Sequence, residues 1–312
     1  MSKPVIAIDM GGTKIKIGIV KDARILASIS IDAHSNNGLR ERLPFIQEAV
    51  ENLLYQQKFS TADISGLGIA SPGIVDSIRK KILSIDKKFG DAPDIDLEEW
   101  CLQTFNLPFV IENDARSALL GEWKYGNAKN YENTVLITLG TGIGSAVIME
   151  GKLLKGKHFT AGILGGHSVI NYQGNPCNCG NKGCVETEAS TWNLPAVAKA
   201  NENFTTSELS SFPVIDYKLV FKLAEKGDIA AMHLRDQSLM AWSACTINLI
   251  HAYDPEVLLL TGGIMASSSQ ILPYIRHYIE THAWTPWGKV HIEEGAFPNT
   301  AALLGIAHLV NH

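Results

Sequence analysis

The chain repeats itself. Residues 4–26, PVIAIDMGGTKIKIGIVKDARIL, read as an apolar strand, a glycine turn, an alternating strand, a polar turn and a third strand. Residues 134–154, TVLITLGTGIGSAVIMEGKLL, follow the same plan. A repeated supersecondary unit marks a duplicated fold. Two copies are too few for a solenoid, in which each repeat must cover its neighbour's apolar face. The repeat therefore predicts two similar α/β domains facing each other across a cleft, each offering a glycine turn to it. In the first copy Ile15, Ile17 and Ile19 fall on one strand face, and ILASISI alternates again after the turn at Lys21 and Asp22, so an antiparallel meander opens the protein.

The remaining pattern fits α/β alternation. Leu39, Leu43, Ile46, Val50 and Leu53 recur at helical spacing ahead of the strand and turn GLGIASPG. A polar, acidic stretch near residues 86–96 leads into a short helix holding Trp100, the strand FVIEN and a helix from Asp114 to about Tyr125. Residues 193–215 lack periodicity and read as a surface insertion. Helices over about 216–252, the strands EVLLLTGG and KVHIEEG with a helix between them, and a last helix from Asn299 complete the chain. The expected division is a small domain over 1–112, joined by the last helix at about 299–312, and a large domain over 113–298.

With 312 residues, 46% hydrophobic and 19% charged, there is ample apolar material for these cores. Against 32 acidic residues stand 27 basic ones, a formal charge of -5, so the positive excess of a nucleic-acid or anionic-membrane surface is missing. Any small anionic ligand must be held by local groups. No apolar run approaches the roughly 18 residues of a membrane span. The opening MSKPVIAIDMGG has no signal-peptide layout, and a cytoplasmic location is expected. Five cysteines, an odd number, argue for reduced thiols rather than a disulfide framework. Cys101 and Cys245 lie in amphipathic helical stretches and read as buried thiols.

Three features carry chemistry. The first strand ends in Asp9, followed by Gly11, Gly12, Thr13 and Lys14. Glycines permit positive φ and close approach, so backbone N–H groups can point at a phosphate while Asp9 holds a metal ion or its water. An ordinary hairpin turn fits the same residues. Gly140, Thr141 and Gly142 recur at the equivalent place in the repeat, which favours a phosphate clamp. The pair Gly262 and Gly263 after EVLLLT leaves room for a flat purine or makes a simple turn. GKLLKGKH (151–158) is no P-loop, because His158 stands where Ser or Thr is required. Finally, HSVINYQGNPCNCGNKGCVE (167–186) places His167, Cys177, Cys179 and Cys184 together. One imidazole and three thiolates suit a closed tetrahedral zinc site better than a redox pair.

Asp9, Gly11, Gly12 and Thr13 with GIASPGIVD, IENDARSALLGE, LGTGIGSAVI, GGH, CNCGNKGCVE and DPEVLLLTGG resemble, in order and over nearly the whole chain, the ROK family of sugar kinases and repressors. The resemblance implies two ribonuclease-H-like domains of the actin and hexokinase type. It also implies an ATP-dependent kinase acting on a free hexose, with glucose and its 6-hydroxyl as the default. It implies Asp114 as catalytic base, with the helix N-cap as the plain alternative for that residue. Asn113, Asp114, His167 and Glu186 are implied as sugar-binding groups, and Glu188 lacks the family spacing. Asp9 is implied to hold the magnesium nucleotide, with the turn at 140–142 on phosphate. Lys14 adds positive charge there or is a strand-surface lysine. His167 and the three cysteines match the family's zinc site, and a homodimer is implied.

The sequence departs from the family at two places. The sugar motif ExGH reads LGGH here, with Leu164 in place of the glutamate, and residues 82–100 differ from the usual Asn-containing sugar loop. An N-acetylhexosamine, fructose, allose or a glycoside are therefore alternative acceptors. A sugar-sensing repressor would carry a helix-turn-helix ahead of the first strand, where four residues precede Val5. A catalytically silent sugar-binding protein is opposed by the presence of both Asp9 and Asp114.

Overall fold

The computed structural model describes residues 3–85 and 87–312, so Asp86 of the departing loop lies outside the described residues. The chain runs through β1 (Val5–Met10), β2 (Lys14–Lys21), β3 (Arg24–Asp32), α1 (Leu43–Gln56), β4 (Leu67–Ser71), β5 (Ile74–Asp76), β6 (Lys81–Ser84), α2 (Leu97–Phe105), β7 (Phe109–Asn113) and α3 (Asp114–Tyr125). It continues through β8 (Thr134–Leu139), β9 (Ile143–Met149), β10 (Lys152–Leu153), α4 (Val185–Ala189), α5 (Leu194–Ala200), α6 (Tyr217–Glu225), α7 (Ile229–Tyr253), β11 (Val257–Thr261), α8 (Ser268–His282), β12 (His291–Glu294) and α9 (Ala301–Val310). Among the described residues no helix is long and apolar enough to cross a membrane.

Two compact units result. One holds the residues up to Asn130 together with Lys155–Ala161 and Asn299–His312, and the other holds Tyr131–Leu154 and Gly162–Pro298. The first unit has the sheet order β3-β2-β1-β4-β7, with β1, β2 and β3 antiparallel and β1, β4 and β7 parallel. The second has β10-β9-β8-β11-β12 with the same senses, strand for strand. This is the ribonuclease-H-like arrangement, made twice. β4 and β11 are buried along their whole length, as central parallel strands covered on both faces must be. Each unit has its own hydrophobic core.

Several details differ from the sequence reading. β5 and β6 form an antiparallel hairpin that no strand pattern announced. Residues 193–215 are not only a surface insertion: they form α5 and two 3₁₀ turns, and Leu194, Ala198 and Leu209 enter the core of the second unit. The polar stretch before α2 hides Phe89 and Ala92, both fully buried. Cys101 and Cys245 are buried as expected, and burial pushes both thiols up to about 12, which leaves them unreactive at neutral pH.

The first unit includes α3, beyond the 112/113 junction drawn from the sequence, because α3 packs closely on α9. Glycine makes the approach possible. A Cβ on Gly305 would lie 1.8 Å from the Ser117 carbonyl oxygen, and one on Gly121 would lie 2.1 Å from that of Ala301. Both are backbone contacts with no side chain to move aside. Gly305→Val should lower the unfolding free energy by about 3 kcal/mol or more, read as a fall in the urea midpoint, since overpacking of this kind costs about 1–3 kcal/mol even where side chains can yield. An unchanged midpoint would show that the two helices separate without cost.

Candidate functional site

In the first unit the carboxyl ends of β1, β4 and β7 lie along one sheet edge, where parallel α/β sheets present their ligands. Asp9 stands near the end of β1 and Asp114 directly follows β7. Burial and then the Asp114 charge raise Asp9 to about 6, with Lys16 opposing. Lys16 faces Asp9 across the β1/β2 register, and its Nζ donates to the Asn299 carbonyl at 3.0 Å. Burial also raises Asp114, against the pull of the Ala115 N–H, the Lys88 charge and Asn113.

Asn113, not Asp114, takes the helix cap. Its Oδ1 accepts from the Arg116 N–H at 3.1 Å. Its Nδ2 donates to the Gly73 carbonyl and to Asp114 Oδ1, each at 3.0 Å. Asp114 Oδ1 also accepts from the Ala115 N–H at 2.8 Å, which leaves Oδ2 turned to other uses. The Asn113 side chain thus caps α3 and orients Asp114.

The glycine turns work by close approach rather than by positive φ, since none of Gly11, Gly12, Gly140 and Gly142 has a positive φ. A Cβ on Gly12 would strike the Lys88 side chain, and one on Gly142 would lie 2.6 Å from Glu186 Oε2. Among the described residues the N–H groups of Gly12 and Thr13 in one turn, and of Thr141 and Gly142 in the other, take no partner. Each copy thus leaves two successive N–H groups as free donors, which is what a turn that receives an anion must supply. Lys14 is a strand-surface residue, paired with Asp32 at 2.7 Å and half exposed.

In the second unit Glu186 Oε2 accepts from the Ile143 N–H at 2.9 Å, tying α4 to the turn at 140–142. Glu188 has a different task, holding Asn175 of the cysteine loop through its backbone N–H at 2.7 Å and its amide at 3.2 Å. His167, Cys177, Cys179 and Cys184 bring their donor atoms within 4.8 Å of one another. Cys177 Sγ lies 3.7 Å from His167 Nδ1, and Cys179 Sγ lies 3.7 Å from Cys184 Sγ. A tetrahedron with metal–sulfur bonds of about 2.3 Å has edges of about 3.8 Å, so the donor set fits zinc. Gly262, at φ 100, could bear no side chain, because a Cβ would meet the Leu139 carbonyl at 2.4 Å, whereas Gly263 faces open space. Leu164 is 44% exposed at the start of the GGH turn.

The ROK family model matches residues 5–312. The chain belongs to the ROK family. The glucokinase of Thermotoga maritima is 28% identical to this ROK protein over 98% of the chain and 96% of its own length. The xylose repressor of Bacillus spizizenii is 26% identical over 98% of the chain and 76% of its own length. A ROK glucokinase from Streptomyces griseus, solved with glucose and AMPPNP, superposes with a TM-score of 0.83 at 27% identity over 98% of both chains. The actin and hexokinase type of fold expected for a ROK protein is therefore the fold observed.

Three groups of this ROK protein escaped the sequence reading. Lys16 becomes visible only through the strand register. Lys88 lies in a stretch without periodicity. Glu112, fully buried, pairs with Lys155 at 2.8 Å and lies beside Arg116, whose Nη2 donates to the carbonyls of Lys155, Phe159 and Ala161. This network holds the segment 155–161, which overlaps the string at 151–158 that is no P-loop.

The elevated Asp9 has a measurable consequence. Between the ordinary carboxylate value of 3.8 and about 6 the folded protein keeps a proton that the unfolded chain has lost. Stability of the ligand-free protein should therefore fall as pH rises through that window. Asp9→Asn should flatten this slope, leaving the part owed to the likewise raised Asp114, and raise stability at pH 7 by up to about 3 kcal/mol. Urea unfolding at pH 4.5 and 7 checks both, and a parallel pH dependence in the variant would refute the assignment.

Proposed function

We propose that this chain is an ATP-dependent sugar kinase that phosphorylates a free hexose, with glucose and its 6-hydroxyl as the default acceptor. The observation that carries this reading is the end of β7, where Asn113 takes the cap and leaves an oxygen of Asp114 free beside the carboxylate of β1. The glucose and AMPPNP complex of the Streptomyces griseus relative supports it. The repressor relatives show that membership alone does not decide catalysis, and the paired carboxylates favour the kinase.

Asp114 takes the proton of the sugar hydroxyl as that oxygen forms its bond to the γ-phosphorus. The bond from phosphorus to the bridging oxygen breaks, and ADP leaves. The raised affinity of Asp114 for a proton makes it a better base than a solvated carboxylate. The free N–H groups at 12–13 and at 141–142 donate to phosphate oxygens, and the open space at Gly263 accommodates a purine. Magnesium entering with the nucleotide would be held by Asp9 and would neutralise phosphate charge. Glu186, with one oxygen on the Ile143 N–H, offers the other to a sugar hydroxyl. Zinc would occupy His167, Cys177, Cys179 and Cys184 and supply a cross-link that pins the loop carrying Glu186, with every position filled by protein.

Leu164 favours a second acceptor class. An exposed leucine accepts no hydrogen bond, and losing one to a charged group costs about 1.5–3 kcal/mol. A sugar lacking that hydroxyl or bearing an apolar substituent, such as an N-acetylhexosamine or a glycoside, avoids this loss.

ADP release with a panel of hexoses, N-acetylhexosamines and glycosides, each against a no-sugar control, tests the reading. Release should rise with one sugar and fall at least about 10²-fold in Asp114→Asn with unchanged circular dichroism. Full activity in that variant would remove Asp114 from the mechanism. Chelation of zinc should weaken sugar binding about tenfold or more, and an unchanged affinity in verified metal-free protein would show that the loop needs no clamp.

A further inference from the structure

The loop before α2 carries a cation set against the first glycine turn. The Lys88 side chain lies flat on Gly12: a Cβ there would sit 2.6 Å from its Cε and 3.1 Å from its Nζ. Lys88 is only partly exposed, and among the described residues it makes no hydrogen bond or ion pair. An ammonium group so placed forfeits part of its hydration without gaining an anion, a cost that an arriving ligand would offset.

The backbone around Lys88 is held in place. Lys87 and Phe89 flank it with φ of 52° and 48°, a left-handed conformation that a bulky phenylalanine rarely adopts. Strain of this kind gathers at functional sites. Here it is sustained by full burial of Phe89 and by two links. The Phe89 N–H donates to the Ser35 carbonyl at 2.7 Å, while Ser35 Oγ donates to the Gly12 carbonyl at 2.8 Å, so one serine joins the loop to the turn. Asp91 accepts from the N–H groups of Leu39 and Arg40. The Lys88 charge also bears on Asp114, where it opposes protonation.

We propose that Lys88 is a catalytic residue of this kinase, its ammonium group donating to the oxygens of the phosphoryl group in transfer. The inference rests on the kinase reading above. Lys88 stays protonated throughout: the proton of the acceptor hydroxyl goes to Asp114, phosphorus exchanges the bridging oxygen for the sugar oxygen, and the lysine follows the charge that spreads over the equatorial oxygens.

Steady-state kinetics of Lys88→Met and Lys88→Arg, with titration of AMPPNP and ADP into each, provide the test. In Lys88→Met kcat should fall roughly 10²- to 10³-fold with the sugar KM within about threefold of wild type. AMPPNP should bind at least about fivefold more weakly while ADP affinity holds, and Lys88→Arg should recover a good part of kcat. An unchanged kcat overturns the proposal, and so does a raised sugar KM at unchanged kcat, which would make Lys88 a sugar ligand. If the wild-type protein phosphorylates no sugar, the kinase reading fails and the nucleotide titrations decide: equal loss of AMPPNP and ADP, or loss of neither, overturns the contact.

Discussion

Two like charges at the end of one sheet set the terms for the first unit. Asp9 and Asp114 stand at the ends of β1 and β7, where burial raises both and the Asp114 charge makes Asp9 costlier still to ionise. A site of this kind is tolerable only with compensation. Asn113 supplies it to Asp114 through its amide, Lys16 supplies it to Asp9 across the register, and Lys88 adds a third positive influence from the loop before α2. The arrangement favours ligands that bring cations with them, and a magnesium nucleotide is such a ligand. Folding energy spent on holding these carboxylates together is recovered when the ligand arrives.

The second unit solves a different problem with the same sheet. Its turn at 140–142 lacks a carboxylate at the Asp9 position, where Thr138 stands, and acquires one from α4 instead. Glu186 and Glu188 sit two residues apart on a five-residue helix and serve opposite directions, one the glycine turn and one the cysteine loop. The short α4 thereby couples the donor cluster of His167 and the cysteines to the turn. Disorder in that cluster would loosen Glu186 without touching it.

Much of this was legible in the sequence, for physical reasons that can be named. The duplicated meander shows because strand alternation and glycine turns are local, and both sheets follow from it. The donor cluster shows because three cysteines and a histidine in twenty residues have few other uses. What stayed hidden depends on distant partners. Asn113 reads as a sugar partner and Asp114 as base or cap, and that Asn113 holds the cap shows only once the Arg116 N–H is set against it. Lys16 is one of several strand lysines until the register sets it against Asp9. Leu194, Ala198 and Leu209 are buried from a segment whose turns are too short to show a period. Phe89 is buried from a left-handed conformation that no propensity favours. Glycine is expected in the turns for both its φ range and close approach, and Gly12 and Gly142 use only the second.

The place of α9 bears on how the molecule is made. The first unit draws its body from the residues up to Asn130, yet the helix that fills the groove over α3 lies at residues 301–310. A ribosome adding roughly 5–20 residues per second must pass through the whole second unit before that helix emerges. The unit begun first is thus the last to close. Until then the face of α3 that Gly305 later meets is uncovered in the nascent chain.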